Sequence, residues 1–356
     1  MSIRSLAVWA AGLVIAVASR TPSAGAQGDP GVVNVGFVVF PGVQIIDYAA
    51  PFEVFGQAAF RTKKYNVFTV AQTLDSLRTS GGPGAARILP RYSFANHPRI
   101  DVLVVPGGGG ALPGSGGVGD QITNPAMVDW IRTNGHSAQI VLSVCNGALL
   151  IGKAGLLDGL RATTFWGMLD RIHGVAPTAQ LVTTERFVDN GRVITTAGLS
   201  SGIDGALHVV ERLSGHGLAQ DVALGMEYDW EPDNSFVRSA LPDMVLWDAG
   251  INSLLMRQLP GHPDTLAGSR TAFDEVIALD RSRTPSDVFR QIVGVAAADT
   301  LWRRSGMDTA GHVLTGAWRV MDRRGEPINV NVDVETSARA ADSTIVRIIL
   351  RMAQRT

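Results

Sequence analysis

The chain runs to 356 residues, and its 31 Lys and Arg against 32 Asp and Glu leave a formal net charge of -1. It therefore carries no electrostatic footprint for nucleic acid or an anionic membrane surface. A single cysteine excludes an internal disulfide framework, and 40 glycines with 6% aromatic residues fit a turn-rich α/β, enzyme-like domain rather than a fibrous or disordered chain.

Residues 1–26 read as a secretion signal. Arg4 supplies a positive start, residues 6–18 are unbroken apolar sequence, and Pro22-Ser23-Ala24-Gly25-Ala26 ends in the small-x-small pattern of a cleavage site. Cleavage after Ala26 leaves Gln27 as the new N-terminus. The apolar run is short for a spanning helix, and a retained anchor is the alternative. The expectation is an exported protein, periplasmic or secreted, free of the membrane once the signal is removed. The roughly 330 remaining residues suit two domains, or one with a large extension.

From residue 32 to about 233, short β-branched runs alternate with helical stretches, the pattern of a parallel sheet covered by helices on both faces. Residues 33–40 are a first buried strand, and Pro41-Gly42 turns the chain into a helical segment through Phe60. Asp47 is an acid among apolar neighbours in that segment. It is either a cap or part of a solvated face, or a buried carboxyl with a raised pKa that can pass a proton. A second strand over 65–71 is followed by the turn Gly81-Gly82-Pro83-Gly84 and an extended piece over 87–90. The strand at 101–105 empties into Pro106-Gly107-Gly108-Gly109-Gly110, either a plain turn or a source of backbone N–H donors for a developing negative charge.

A helix over 125–133 precedes the strand 139–144, which delivers Cys145 just before Asn146-Gly147 begins another helix. A sulfur placed there sits on a sharp turn, near backbone N–H groups and the positive end of a helix dipole. Those conditions predict a depressed thiol pKa and a reactive thiolate; the alternative is a small buried hydrophobe. Residues 181–184 and 192–196 are expected as a hairpin around Asp189-Asn190-Gly191, and 201–213 as a closing helix. Ligands collect at the carboxyl ends of strands in such sheets, so Pro41, Gly107 and Cys145 should converge, with the Gly108 and Asn146 N–H groups as the oxyanion pair.

Beyond residue 240, helical spacing over 266–302 is broken near Pro285, and strand-like alternation follows over 312–320, 328–335 and 344–352, with a turn at 322–327. The predicted organisation is a signal over 1–26, an α/β domain over 31–235 and an α+β module over 240–356. Three roles are open for the module: dimerisation, a lid, or a separate binding domain.

Many ordered motifs together resemble the ThiJ/PfpI superfamily, whose fold is of the class I glutamine amidotransferase type. They are Phe40-Pro41-Gly42 with Asp47 and Pro51-Phe52-Glu53-Val54-Phe55, then Val105-Pro106-Gly107-Gly108, then Ser143-Val144-Cys145-Asn146-Gly147-Ala148. Ala154-Gly155-Leu156-Leu157-Asp158-Gly159, Ala162-Thr163-Thr164, Thr196-Ala197-Gly198, Gly202-Ile203-Asp204 and Glu227-Tyr228-Asp229 extend the resemblance to about residue 235. Within the superfamily the chain resembles the branch containing isocyanide hydratase and the amidase-like domains of certain regulators. The resemblance implies a flavodoxin-like parallel sheet sandwiched by helices, a homodimer, and a cysteine on a strained elbow. It also implies attack of Cys145 on the terminal carbon of an isocyanide, a small-molecule substrate, with Asp47 as general acid and base. Gly107, Gly108 and Asn146 would form the charge-stabilising shell, with no cofactor and no metal. Two positions depart from that branch: Asn146 stands where Thr or Ser is common, and Phe165 where relatives often carry histidine.

Other thiol chemistries lack their partners. The peptidase-like branch needs a histidine directly after the cysteine, and a glutamine amidotransferase needs a downstream His-x-Glu pair, whereas His208 and Glu211 have the wrong spacing. His97, His136, His173 and His216 show no metal-ligand spacing. Two alternatives to hydration stay open: a non-catalytic oxidation sensor or ligand-binding domain, and a glyoxalase or deglycase. Arginines and acids balance in the tail, which ends in strands rather than a recognition helix, so a DNA-binding role is not expected.

Overall fold

The computed structural model describes residues 31–110, 112–259, 261–279, 283–336 and 344–352; the secretion signal expected over residues 1–26 lies outside them. Strands form where β-branched residues run without polar interruption. Val33–Val38, Val102–Val105, Ile140–Ser143 and Val193–Thr196 are almost wholly buried along their length, as a strand covered on both faces must be. The sheet they build has seven strands in the order 187–189, 193–196, 140–143, 102–105, 33–38, 65–71, 92–93. All neighbours are parallel except the antiparallel pair at the 187–189 edge.

Helices cover both faces. Ile45–Thr62, Ser201–Ser214 and His216–Gly225 pack with Val35, Phe37, Val104, Ile140 and Leu142 into one core. Pro125–Ser137 and Gly147–Lys153 close the other face over Val38, Leu103, Val105 and Val141. This is the flavodoxin-like sandwich the sequence predicts. Strand order reverses direction around the central strands, so the loops after Val38, Val105, Ser143 and Thr196 open on one end of the sheet.

The predicted hairpin is displaced. Phe187–Asp189, not 181–184, pairs with Val193–Thr196, because a tight turn at Asn190-Gly191 requires its arms to begin within a residue or two of it. Gln180–Leu181 instead pairs in parallel with Arg161–Ala162.

The tail is the expected α+β module, with one correction. Six antiparallel strands stand in the order 261–268, 272–279, 344–352, 327–336, 314–321, 303–308. The helical spacing predicted from residue 266 holds only after Thr284, which caps Pro285–Ala298 through the Asp287 N–H at 3.2 Å. Ala272–Leu279 is a strand whose alternate residues Glu275, Ile277 and Leu279 are buried. Short apolar stretches satisfy both periods, and here pairing with Thr344–Met352 decides. Helix and sheet enclose a core of their own, including Val288, Ile292, Trp318, Val330, Val332 and Ile348.

Candidate active site

The elbow is built by conflict between a buried strand and the helix that must start at once. Cys145 takes up the turn with φ +58°, a left-handed conformation rare for a residue with a side chain. Its neighbours hold it there: the Cys145 N–H donates to the Ala197 carbonyl at 2.8 Å, and the Thr164 hydroxyl donates to the Cys145 carbonyl at 2.7 Å. Gly147 lets the helix begin against the end of the neighbouring strand Val102–Val105, since a Cβ there would collide with the Val105 and Pro106 backbone. The sulfur-bearing residue is 7% exposed.

Asp47 is brought to it by the first helix. It is completely buried, and neither carboxylate oxygen has a hydrogen-bond partner at bonding geometry. Burial pushes its pKa up to about 7, against the weaker pull of the Cys145 thiol and the Gly107 and Leu199 N–H groups nearby. Gly107 lies directly on the acid, for a Cβ there would stand 2.9 Å from Asp47 Oδ2 and equally close to the Asn146 nitrogen. Pro51, one turn on, lacks the N–H that would bind the Asp47 carbonyl.

The predicted depression of the thiol pKa is overturned. Burial, and then the negative charge of Asp47, push the Cys145 thiol well above its ordinary value, and the N–H groups of Asn146 and Leu199 offset only part of this. The resting pair is a neutral thiol facing an acid that titrates near neutrality.

The structure brings Cys145, Asp47, Gly107 and Asn146 together, but it gives the Gly108 N–H another partner. The Gly108 N–H donates to Asn146 Oδ1 at 2.8 Å, and Asn146 Nδ2 donates to the Gly109 carbonyl at 3.3 Å. The side chain of Asn146 thus clamps the glycine loop while its own N–H faces the sulfur. The second N–H at the sulfur belongs to Leu199, which has φ +55°. Sequence reading gave no role to Leu199, nor to Thr164, which it names only within Ala162-Thr163-Thr164. The only signal was that Thr196-Ala197-Gly198 ends a strand at the same edge, and that Thr164 closes a conspicuous polar run. His208 is engaged elsewhere, with Asp189 at 2.8 Å and Glu211 at 3.4 Å.

Comparison with known proteins bears on the family and the fold. A family model described as the DJ-1/PfpI family matches residues 33–212, just over half of the chain. An isonitrile hydratase from Pseudomonas putida is 34% identical over 197 residues, covering 55% of this chain and 78% of that protein. The HTH-type transcriptional regulator CdhR of Pseudomonas aeruginosa is 34% identical over 99 residues, 28% of this chain and 29% of the regulator. Among solved structures, a ThiJ/PfpI family protein from Pseudomonas syringae superposes with a TM-score of 0.52 at 26% identity, covering 67% of this chain and 95% of that one.

Proposed function

Given that this chain belongs to the DJ-1/PfpI family, we propose that it hydrates a small electrophile, an isocyanide in the first instance, through a proton shared between Cys145 and Asp47. The observation that carries the reading is the buried Asp47, titrating near pH 7 beside a thiol too basic to ionise alone. A standing thiolate is unnecessary when the base lies against the nucleophile.

In the first step the sulfur of Cys145 attacks the terminal carbon of R–N≡C while its proton passes to the Asp47 carboxylate. Asp47 then returns that proton to the same carbon, giving the thioimidate R–N=CH–S-Cys145. Water adds to this carbon, losing a proton to Asp47, which delivers it to nitrogen. The resulting R–NH–CH(OH)–S adduct breaks its C–S bond. Asp47 relays the hydroxyl proton to sulfur, and R–NH–CHO leaves. Charge that develops at the reacting centre faces the N–H groups of Asn146 and Leu199.

The test is formamide production from an aryl isocyanide, with methylglyoxal as the competing substrate. Cys145→Ser and Asp47→Asn should each lose at least about 100-fold in kcat, the usual scale of a lost nucleophile or proton carrier. Consumption of methylglyoxal instead would assign the glyoxalase alternative. The similarity to a transcriptional regulator keeps the sensor reading in the experiment. A buried neutral thiol should react with peroxide slowly, and fast conversion to the sulfinate without turnover would reverse the assignment. Two further parts of this proposal rest on sequence and resemblance: a homodimer, tested by light scattering, and export with cleavage after Ala26, tested by the intact mass of the secreted chain.

A further inference from the structure

A cavity of about 230 Å³ lies beside the elbow, walled on one side by Phe165, Trp166 and Leu199 and on the other by Phe236, Val237 and Leu241. We propose that this cavity binds the apolar substituent of the electrophile, and that the connector leading out of the α/β domain sets substrate choice by closing it. The inference rests on reading Cys145 as the nucleophile.

Three observations carry it. First, the cavity wall is continuous with the residues that hold the sulfur. Leu199 turns its N–H toward Cys145, and Phe165 directly follows Thr164, which binds the Cys145 carbonyl. The Phe165 ring rests on Gly198, where a Cβ would stand 2.6 Å from the ring. Leu199 and Phe165 thus stand between the sulfur and this space, which is the nearest described cavity for a group R carried on a carbon bonded to the sulfur.

Second, the lining has the chemistry of an apolar guest. The two arginines at its rim are already paired: Arg186 with Asp204 at 2.5 Å, and Arg238 with Asp243 through two hydrogen bonds at 2.8 and 2.6 Å. Arg238 also lies 5.0 Å over the Trp166 ring. With both charges answered, the site has no pull on an anionic substrate. Its size is diagnostic too, because a cavity of about 150 Å³ accepts benzene and drug-sized ligands need upwards of about 300 Å³. One aromatic ring or a short branched alkyl group fits.

Third, the connector is fixed in its closing position rather than draped over the surface. The buried Arg186 donates to the Phe236 carbonyl at 2.5 Å and to Ser200 Oγ at 3.1 Å, bridging connector and elbow loop. Ser239 donates to the Thr183 carbonyl at 2.5 Å, and Trp247 meets the Trp166 ring edge to face at 5.2 Å.

The test compares kcat/KM of the full chain for benzyl and methyl isocyanide. The wild type should favour the benzyl compound at least tenfold. Leu241→Trp, which fills the cavity, should lower kcat/KM for benzyl isocyanide at least tenfold more than for methyl isocyanide. Phe236→Ala, at a wall residue that is 39% exposed, should lower the benzyl rate in the same selective way. Binding is read separately with N-benzylformamide by calorimetry on Cys145→Ser, and should weaken at least tenfold when Leu241→Trp is added. If neither isocyanide is turned over but N-benzylformamide still binds in a Leu241-dependent manner, the hydratase reading falls and the pocket stands. Equal losses for both isocyanides, or binding of N-benzylformamide that is absent or indifferent to both variants, would overturn the pocket.

Discussion

Asp47 sets chemistry against stability in one carboxyl group. In the folded protein it keeps its proton up to about pH 7, whereas an unfolded chain releases it near the ordinary 3.8. Between those values the folded state binds a proton that the unfolded state has lost, so this contribution to stability is full below the unfolded pKa and lost as pH rises through the folded one. The difference integrates to about 4 kcal/mol. Asp47→Asn should therefore match the wild type in urea unfolding at pH 4 and exceed it by up to about 4 kcal/mol at pH 8; a gap that does not widen with pH would refute the buried acid. The same ionisation is required for Asp47 to accept the thiol proton, so kcat/KM for the isocyanide should rise through about pH 7 and that limb should vanish in the Asn variant. Gly107 offers a second check on the pair. Its missing side chain is what allows the loop to lie on Asp47 and Asn146, and Gly107→Ala must move one or both. A displacement of about 1 Å at a reacting centre costs about 100-fold in rate, which is the loss expected in kcat with the fold retained by circular dichroism.

At the level of elements, the hairpin, the closing helix and the connector meet at Arg186. This arginine is buried, pairs with the buried Asp204, and reaches both Ser200 and the Phe236 carbonyl. Asp204 is also held by the Tyr228 hydroxyl at 2.8 Å, yet burial still raises its pKa. Removing the cation leaves a buried carboxylate with a hydroxyl as its one remaining partner, and Arg186→Ala should lower stability by about 3–5 kcal/mol in denaturant unfolding. A loss under about 1 kcal/mol, the scale of a surface pair, would show that the network is not what holds the connector. None of this was visible beforehand, because Arg186 lies between two motifs and its partners are separated from it by up to fifty positions. What could be read was local: a β-branched run ending at the lone cysteine, glycine turns after strands, and an acid misplaced in an apolar helix. Leu199 escaped because the sign of its φ is imposed by the loop and not by residue type. The strand Ala272–Leu279 escaped because its short apolar alternation also fits a helix, and what decides is pairing on both edges, with Gly261–Gly268 and with Thr344–Met352, the latter about seventy residues away. Burial reversed the expected thiol shift for a similar reason: a turn supplies donors locally, but desolvation is a property of everything packed around it.

Over the whole molecule, two cores are bridged by a connector. The α/β domain buries Phe37, Val104 and Leu142 on one face and Val38, Leu103 and Val141 on the other, while the tail module encloses Val288, Ile292, Val332 and Ile348 in a separate cluster. Direct polar ties between them, from Arg324 to the Ser235 carbonyl at 2.5 Å and from Arg270 to Asn234 at 3.3 Å, are exposed, while the connector itself packs Val237 and Ala240 on Ala197 and lends Val245 and Leu246 to the tail core. Separate apolar cores predict two calorimetric transitions. Ile348→Ala removes a completely buried side chain from the tail core at a cost of about 2–5 kcal/mol. In a module of this size each kcal/mol moves the midpoint by roughly 4–8 °C, so one transition should fall by about 10 °C or more while the other stays in place. Arg324 bonds the Ser235 carbonyl next to wall residue Phe236, and Val245 and Leu246, shortly after wall residue Leu241, lie in the tail core, which gives the shift a functional signature. In the window between the two transitions, methyl isocyanide turnover should persist while the preference for benzyl isocyanide collapses. If both transitions moved together, the two cores would form a single cooperative unit, and the connector could not act as an independent selector of substrate.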